Sequence, residues 1–128
     1  MVKPIILTAG ASTNAISRLD WVEADGAGNV QAVDDTANAT AALGMAMLDK
    51  DSENNVPVLV QGLANVKAAA ATYSFGDKLG CNSSGVAAYS SGAVVGYVAE
   101  PEQKVISTTY SSTDTLKVYV NIDLDSLA

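Results

Sequence analysis

The chain has 128 residues, a length that suits one domain with a buried core. It carries 14 acidic and 7 basic residues, a net charge of −7, and no histidine. Nucleic acids and anionic membranes attract clustered Lys and Arg, so this charge argues against both as partners. The absence of histidine removes the commonest general base and metal ligand. We therefore expect neither a catalytic triad nor a cofactor.

The first 14 residues differ in composition from the rest. Pro4 disfavours regular sheet pairing, Ile5, Ile6 and Leu7 form an apolar triplet, and residues 8–14 are small and polar. We predict an extended partner-binding arm over residues 1–14, dispensable for folding, followed by a domain over residues 15–128. A first strand within the chain's own sheet is the alternative. The apolar run is too short for a signal peptide or a membrane span, so we expect synthesis in a cytoplasm.

From residue 15 onward, turn-forming residues interrupt the chain at short intervals. Short apolar stretches between turns are typical of an all-β sandwich or barrel. Apolar runs over residues 43–48 and 93–99 predict central strands, in which Gly44 and Gly96 indicate bulges or close backbone approach. Residues 63–73 have helix propensity, so this segment is expected to be a short helix or a strand followed by an irregular crossover. We therefore predict an all-β domain with at most one short helix. Two segments alternate in polarity and predict strands with one buried face: Val56, Val58 and Val60 in one, and Leu116, Val118, Val120, Ile122 and Leu124 in the other.

The acidic residues do not form a recognisable metal motif. Asp49, Asp51 and Glu53 resemble the start of an EF-hand loop, but Asn54 replaces its turn glycine and Val60 replaces its bidentate glutamate. We interpret this segment as an acidic turn and predict no metal site.

No other pattern predicts catalysis. Asp34 and Asp35 are adjacent, so in a strand they would point to opposite faces and could not share a proton. Cys81 is the single cysteine, and no neighbour in the sequence would activate its thiol, so we assign it a structural role. We predict that the chain is not an enzyme. A hydrolase using carboxylates alone is the alternative.

The aromatic residues leave a second binding function open. They are scattered among predicted strands and turns, where core or rim positions are expected, but together they could stack sugar rings: Trp21, Tyr73, Tyr89, Tyr97, Tyr110 and Tyr119. A glycan- or surface-binding β module is therefore the alternative to a purely structural protein.

Several short motifs follow one another over residues 43–124. They are Leu43-Gly44-Met45-Ala46-Met47, Val58-Leu59-Val60-Gln61-Gly62, Leu63-Ala64-Asn65-Val66-Lys67-Ala68-Ala69, Gly76-Asp77-Lys78-Leu79, Ser84-Gly85-Val86-Ala87, Val94-Val95-Gly96-Tyr97-Val98-Ala99 and the last alternating strand. Their order resembles the small capsid decoration, or cement, proteins of tailed bacteriophages, the group with a β-tulip domain. In that group a GD-x-L turn, a G-x-A turn and a V-G-x-A strand recur in this order.

The resemblance implies a small β-tulip or barrel-like domain that binds the outer face of a phage capsid. It implies a homotrimer, with the major capsid protein as partner, that bridges neighbouring capsomers in the virion. It adds weight to five turn and strand residues that we predict to be critical for the fold: Gly62, Gly76, Asp77, Gly85 and Gly96. Gly76 and Gly85 permit a positive φ, and Asp77 can cap its own turn.

Overall fold

The computed structural model describes residues 4–12 and 14–122. These residues form eleven strands and no helix, which confirms the all-β prediction. Within them no helix is long and apolar enough to cross a membrane. The strands are β1 (Ile5–Gly10), β2 (Trp21–Ala24), β3 (Val30–Ala32), β4 (Gly44–Ala46), β5 (Asn55–Lys67), β6 (Ala71–Tyr73), β7 (Lys78–Asn82), β8 (Gly85–Ala88), β9 (Gly96–Val98), β10 (Lys104–Ile106) and β11 (Thr115–Asn121).

A nine-stranded sheet holds most of the chain together. Its strands follow the order β3-β2-β4-β5-β11-β9-β7-β8, with β1 paired to β5, while β6 and β10 form a separate two-stranded sheet. Ala68, just after β5, forms a parallel bridge with Val86 in β8. This bridge brings the far end of the sheet back to β5, so the sheet curls into a half-barrel.

Strand β5 is the longest element and the centre of the fold. Its 13 residues pair with β1 and β4 in the first half and with β11 in the second half. Val56, Val58 and Val60 are buried as predicted, and so is the apolar face of β11 through Ile122. Leu124 lies outside the described residues. The segment over residues 63–73 forms the end of β5 and then β6. Val66 and Ala68 alternate into the core, and Tyr73 is buried at the end of β6.

The N-terminal segment is extended, as expected, but it is part of the sheet. Ile6 to Gly10 pair antiparallel with Leu59 to Asn55 of β5, and the register shifts between Ile5 and Ile6. This corrects the expectation that Pro4 prevents pairing. Pro4 lies one residue before the strand, where its missing N–H interrupts no bond of the ladder. The alternative interpretation, a first strand within the chain's own sheet, is therefore the one that the structure shows. Residues 1–3 and 13 of the predicted arm lie outside the described residues.

Close backbone packing occurs where glycine was expected to allow it. A Cβ added to Gly96 would lie 2.4 Å from the carbonyl oxygen of Tyr119, and one added to Gly44 would lie 2.4 Å from that of Leu59. Real Cβ atoms do not approach this closely, so neighbouring strands could not keep their spacing around a larger residue. The prediction of close backbone approach at these two positions is confirmed.

Candidate functional site

The most exposed apolar strand of the described residues is β1. The exposed fractions of Ile5, Ile6 and Leu7 are 46%, 48% and 50%, respectively. The strand contains no charged residue, and Thr8 and Ala9 continue it towards Gly10. An uncharged strand with a run of half-exposed large side chains is the kind of surface that binds another protein.

A small apolar cavity opens beside this strand. It has a volume of about 160 Å³ and lies between β1, β3, β5 and the residue before β4. Its walls are all apolar: Leu7, Ala9, Val30, Leu43, Val58 and Val60. Leu7 belongs both to the exposed triplet and to the cavity wall, so a partner that covers β1 would also reach the cavity. Pro4 lies at the start of the same surface, where its Cα would be 3.1 Å from a Cβ added to Gly62.

The predicted turn around Gly76 and Asp77 is held by one long-range and one local hydrogen bond. Gly76 has a φ of 86°, and its N–H donates to the Val98 carbonyl at 2.8 Å. The Asp77 carboxylate accepts the Ser74 N–H at 2.9 Å, which caps the turn. Gly85 occupies a different setting: its φ is 154°, and an added Cβ would lie 2.4 Å from the Lys67 carbonyl oxygen. The Gly76 bond fixes where the turn before β7 meets β9, and the close packing of Gly85 fixes where β8 meets β5.

Three carboxylates that are separated in the sequence come together beside β2. Ligand oxygens of Glu23, Asp34 and Asp35 all lie within 4.8 Å of one another. This corrects the expectation that the adjacent aspartates must diverge. Both follow the end of β3, so the alternation of a strand does not apply to them. The partner that completes the cluster, Glu23, lies eleven positions earlier, which no local pattern could reveal.

Burial affects the ionisation of this acidic cluster. Burial raises the pKa of Glu23, and the charges of Asp34 and Asp35 raise it further, while hydrogen bonds from Gln31 and the Asp34 backbone oppose the rise. One carboxylate oxygen of Glu23 is buried without a hydrogen-bond partner. Oxygen ligands of this kind suit Ca²⁺ or Mg²⁺. Acidic clusters are common without an ion, however, and none of these carboxylates lines the apolar cavity.

The remaining acidic turn has structural contacts. Asp49 accepts the Arg18 backbone N–H at 2.7 Å, and Asp51 accepts the N–H groups of Glu53 and Asn55, each at 2.9 Å. These bonds anchor the turn that leads into β5. The carboxylates therefore serve as acceptors for backbone groups, in agreement with the interpretation as an acidic turn.

Cys81 is fully buried in β7. Burial, with smaller effects from the negative charges of Glu23 and Asp35, raises the pKa of its thiol to about 12. A thiol in this environment stays protonated at neutral pH and is a poor nucleophile.

The aromatic residues separate into two groups. Trp21 and Tyr73 belong to the core, and Tyr110 accepts a hydrogen bond from the side chain of Asn82 at 2.7 Å. Because Trp21 and Tyr73 are buried, they cannot form part of a sugar-stacking platform. The other group, Tyr89, Tyr97 and Tyr119, lies on the outer face of the curled sheet. The sequence did not distinguish the two groups, because their positions depend on which strands pair.

Comparison with known protein families, curated proteins and solved structures gives no match for this chain.

Proposed function

We propose that this protein is a structural decoration protein of a tailed-bacteriophage capsid. In this proposal it binds the outer surface of the shell as a homotrimer and joins neighbouring capsomers in the virion. Its partners are the major capsid protein and further copies of itself. No catalytic residue, metal or cofactor is required. The order of the glycine turns over residues 43–124 motivates the family, and the all-β, half-barrel fold is compatible with it.

The observation that carries the proposal is the uncharged strand β1 beside its apolar cavity. Fully burying a large aliphatic side chain contributes about 1.5–3 kcal/mol. Ile5, Ile6 and Leu7 are each about half exposed, so covering each one would contribute about half of that value. Covering all three would contribute a few kcal/mol per copy. That is weak for one copy.

A symmetric assembly would strengthen this weak contact. When three copies are held together, the second and third contacts form within one complex, and avidity exceeds the affinity of a single site. In this proposal, decoration of a shell relies on many modest contacts that act together.

The proposal is tested by mixing the purified chain with empty shells of the capsid protein encoded in the same genome. We expect the chain to co-sediment with shells, and an electron-microscopy map to show trimeric density on the outer face between capsomers. Failure to co-sediment with mature shells would contradict the binding role. Density for isolated single copies would contradict the trimer.

A further inference from the structure

A continuous row of side chains crosses the outer face of the sheet on strands other than β1. Leu63 pairs with Tyr119, Tyr119 pairs with Tyr97, and Tyr97 pairs with Lys78. The Tyr89 N–H donates to the Lys78 carbonyl at 3.1 Å, and the Lys78 ammonium lies 5.8 Å from the centre of the Tyr89 ring. Directly paired residues project from the same face of a sheet. We name Leu63, Tyr119, Tyr97, Lys78 and Tyr89 the tyrosine row.

The tyrosine row is held in place by the sheet. Its members alternate with buried neighbours in β11, β9 and β7, so this face points away from the core. The Gln61 side-chain amide donates to the Tyr119 hydroxyl at 2.8 Å, which fixes the direction of that ring. Leu63 is 58% exposed and Tyr89 is 38% exposed, so both ends of the row are accessible. Tyr97 and Tyr119, between the two ends, are half-buried, so each presents part of its ring. The row is thus a preorganised amphipathic surface.

The charge of this face is opposite to the charge of the whole chain. Lys67 and Lys117 join Lys78 on it, and none of the positions that share this face on β5, β11, β9 and β7 carries a carboxylate. At its border, Glu100 accepts the Lys117 N–H at 2.8 Å and lies 3.8 Å from the Lys104 ammonium. In a chain of net charge −7, this local excess of lysine is complementary to an anionic ligand.

The size of the face favours an extended ligand over a folded protein. The tyrosine row crosses four strand-to-strand steps, about 19 Å, and residues 61–67 of β5 extend about 20 Å. The projected area of about 400 Å² is small beside the roughly 800 Å² of accessible surface that each partner buries in a standard protein interface. A linear ligand can lie flat along such a row, where Gln61, Asn65 and Asn121 offer side-chain amides for hydrogen bonds to hydroxyl groups.

We propose that the tyrosine row binds an acidic polysaccharide, with sugar rings stacked on Tyr97 and Tyr119 and sugar carboxylates beside Lys78 and Lys117. Tyrosine presents an apolar ring face together with a polar hydroxyl, which suits the mixed surface of a sugar. The proposal is independent of capsid attachment, because it uses none of the residues of β1 or of the apolar cavity. Each of the two functions can therefore fail without the other.

The test is calorimetric titration of the full chain with oligogalacturonate of defined length, and with the uncharged oligogalactose of the same length. We expect binding of the acidic oligomer only, weakened by added salt because part of the attraction is electrostatic. Tyr97→Ala, Tyr119→Ala and Lys78→Gln should each weaken it at least tenfold. Phe75→Ala and Lys104→Gln, on side chains outside the row, are the matched controls and should bind like the unmodified chain.

Three results would overturn the inference. One is that oligogalacturonate does not bind, or binds equally well to the row variants. Another is that the tyrosine variants lose melting temperature while the well-folded Lys78→Gln variant binds normally, because the row would then serve cross-strand packing only. The third is self-association of the chain in light scattering that Tyr119→Ala abolishes, which would reassign the row to contacts between copies.

Discussion

Ala11 forms a parallel bridge with Val30, and the next residue, Ser12, donates its N–H to the Val30 carbonyl at 2.8 Å. This contact ties the end of β1 to β3, while β5 holds the length of β1. Strand β1 therefore completes one side of the curled sheet and at the same time exposes Ile5, Ile6 and Leu7. The strand that the fold needs is therefore also the surface that we propose for partner binding.

Deleting residues 2–12 should destabilise the fold, because it removes all of β1 and uncovers the edge of β5. We expect the loss of a large part of the ~5–15 kcal/mol typical of a domain, measured by urea unfolding. Ile6→Asp is the matched comparison. Ile6 is 48% exposed, so this variant should cost only about 1 kcal/mol or less. A truncated chain with an unchanged unfolding midpoint would show that β1 is an accessory arm after all.

Gly96→Ala should destabilise the protein by about 1–3 kcal/mol, because the new Cβ would collide with the Tyr119 carbonyl and force β9 away from β11. Gly80→Ala is the control within the same sheet, since an added Cβ there would make ordinary contacts at 3.5–3.6 Å. Thermal unfolding of both variants distinguishes close packing from a general intolerance to alanine. Equal melting temperatures for the two variants would contradict the account of Gly96.

Cys81 should react with a thiol reagent such as DTNB only as fast as the protein unfolds. Its side chain is fully buried, and the pKa of the thiol is raised to about 12, so the native state contains almost no accessible thiolate. Because Cys81 is the single cysteine, the absorbance change reports this site alone. Rapid stoichiometric labelling in native buffer is the outcome that this prediction forbids.

Glu23→Gln should stabilise the protein at neutral pH. The folded-state pKa of Glu23 is raised above its ordinary value of 4.5. The folded state therefore favours the protonated form of Glu23. The contribution of this group to stability is fully present below pH 4.5 and is lost as the pH rises through the folded-state pKa. Urea unfolding at several pH values should show an advantage of the variant at pH 7 that shrinks towards pH 4. Glu102→Gln, at an exposed glutamate, is the control for removing one charge. An equal increase in the free energy of unfolding for both variants would contradict burial of Glu23 as the cause.

Periodicity predicted the parts of the fold in which each strand has one buried face. The alternation of Leu116, Val118 and Val120 matches their burial, and the small residues at Gly44 and Gly96 marked close strand contacts. Over residues 63–73 the sequence left a short helix or a strand open, and the structure has strands. Packing of Val66, Ala68 and Tyr73 into the core outweighs the weak helix preference of the alanines.

The candidate surfaces were only partly predictable. The apolar triplet Ile5-Ile6-Leu7 is visible in the sequence, but its cavity also requires Val30 and Leu43, which arrive through long-range pairing. The tyrosine row and the acidic cluster depend in the same way on strand register. No local pattern contains that register, because it is set by which hydrophobic faces are buried together.

The central claim, attachment to a capsid through β1 and its cavity, is tested most directly by the occupancy of shells with two matched variants. Leu7→Asp places a charge on the cavity wall, whereas Leu48→Asp places the same charge at a 60% exposed leucine outside β1. Both variants are first shown to be folded by circular dichroism and are then mixed in excess with empty shells. We predict that Leu48→Asp decorates shells like the unmodified chain and that Leu7→Asp leaves them nearly bare. Full decoration by the folded Leu7→Asp variant would contradict the account.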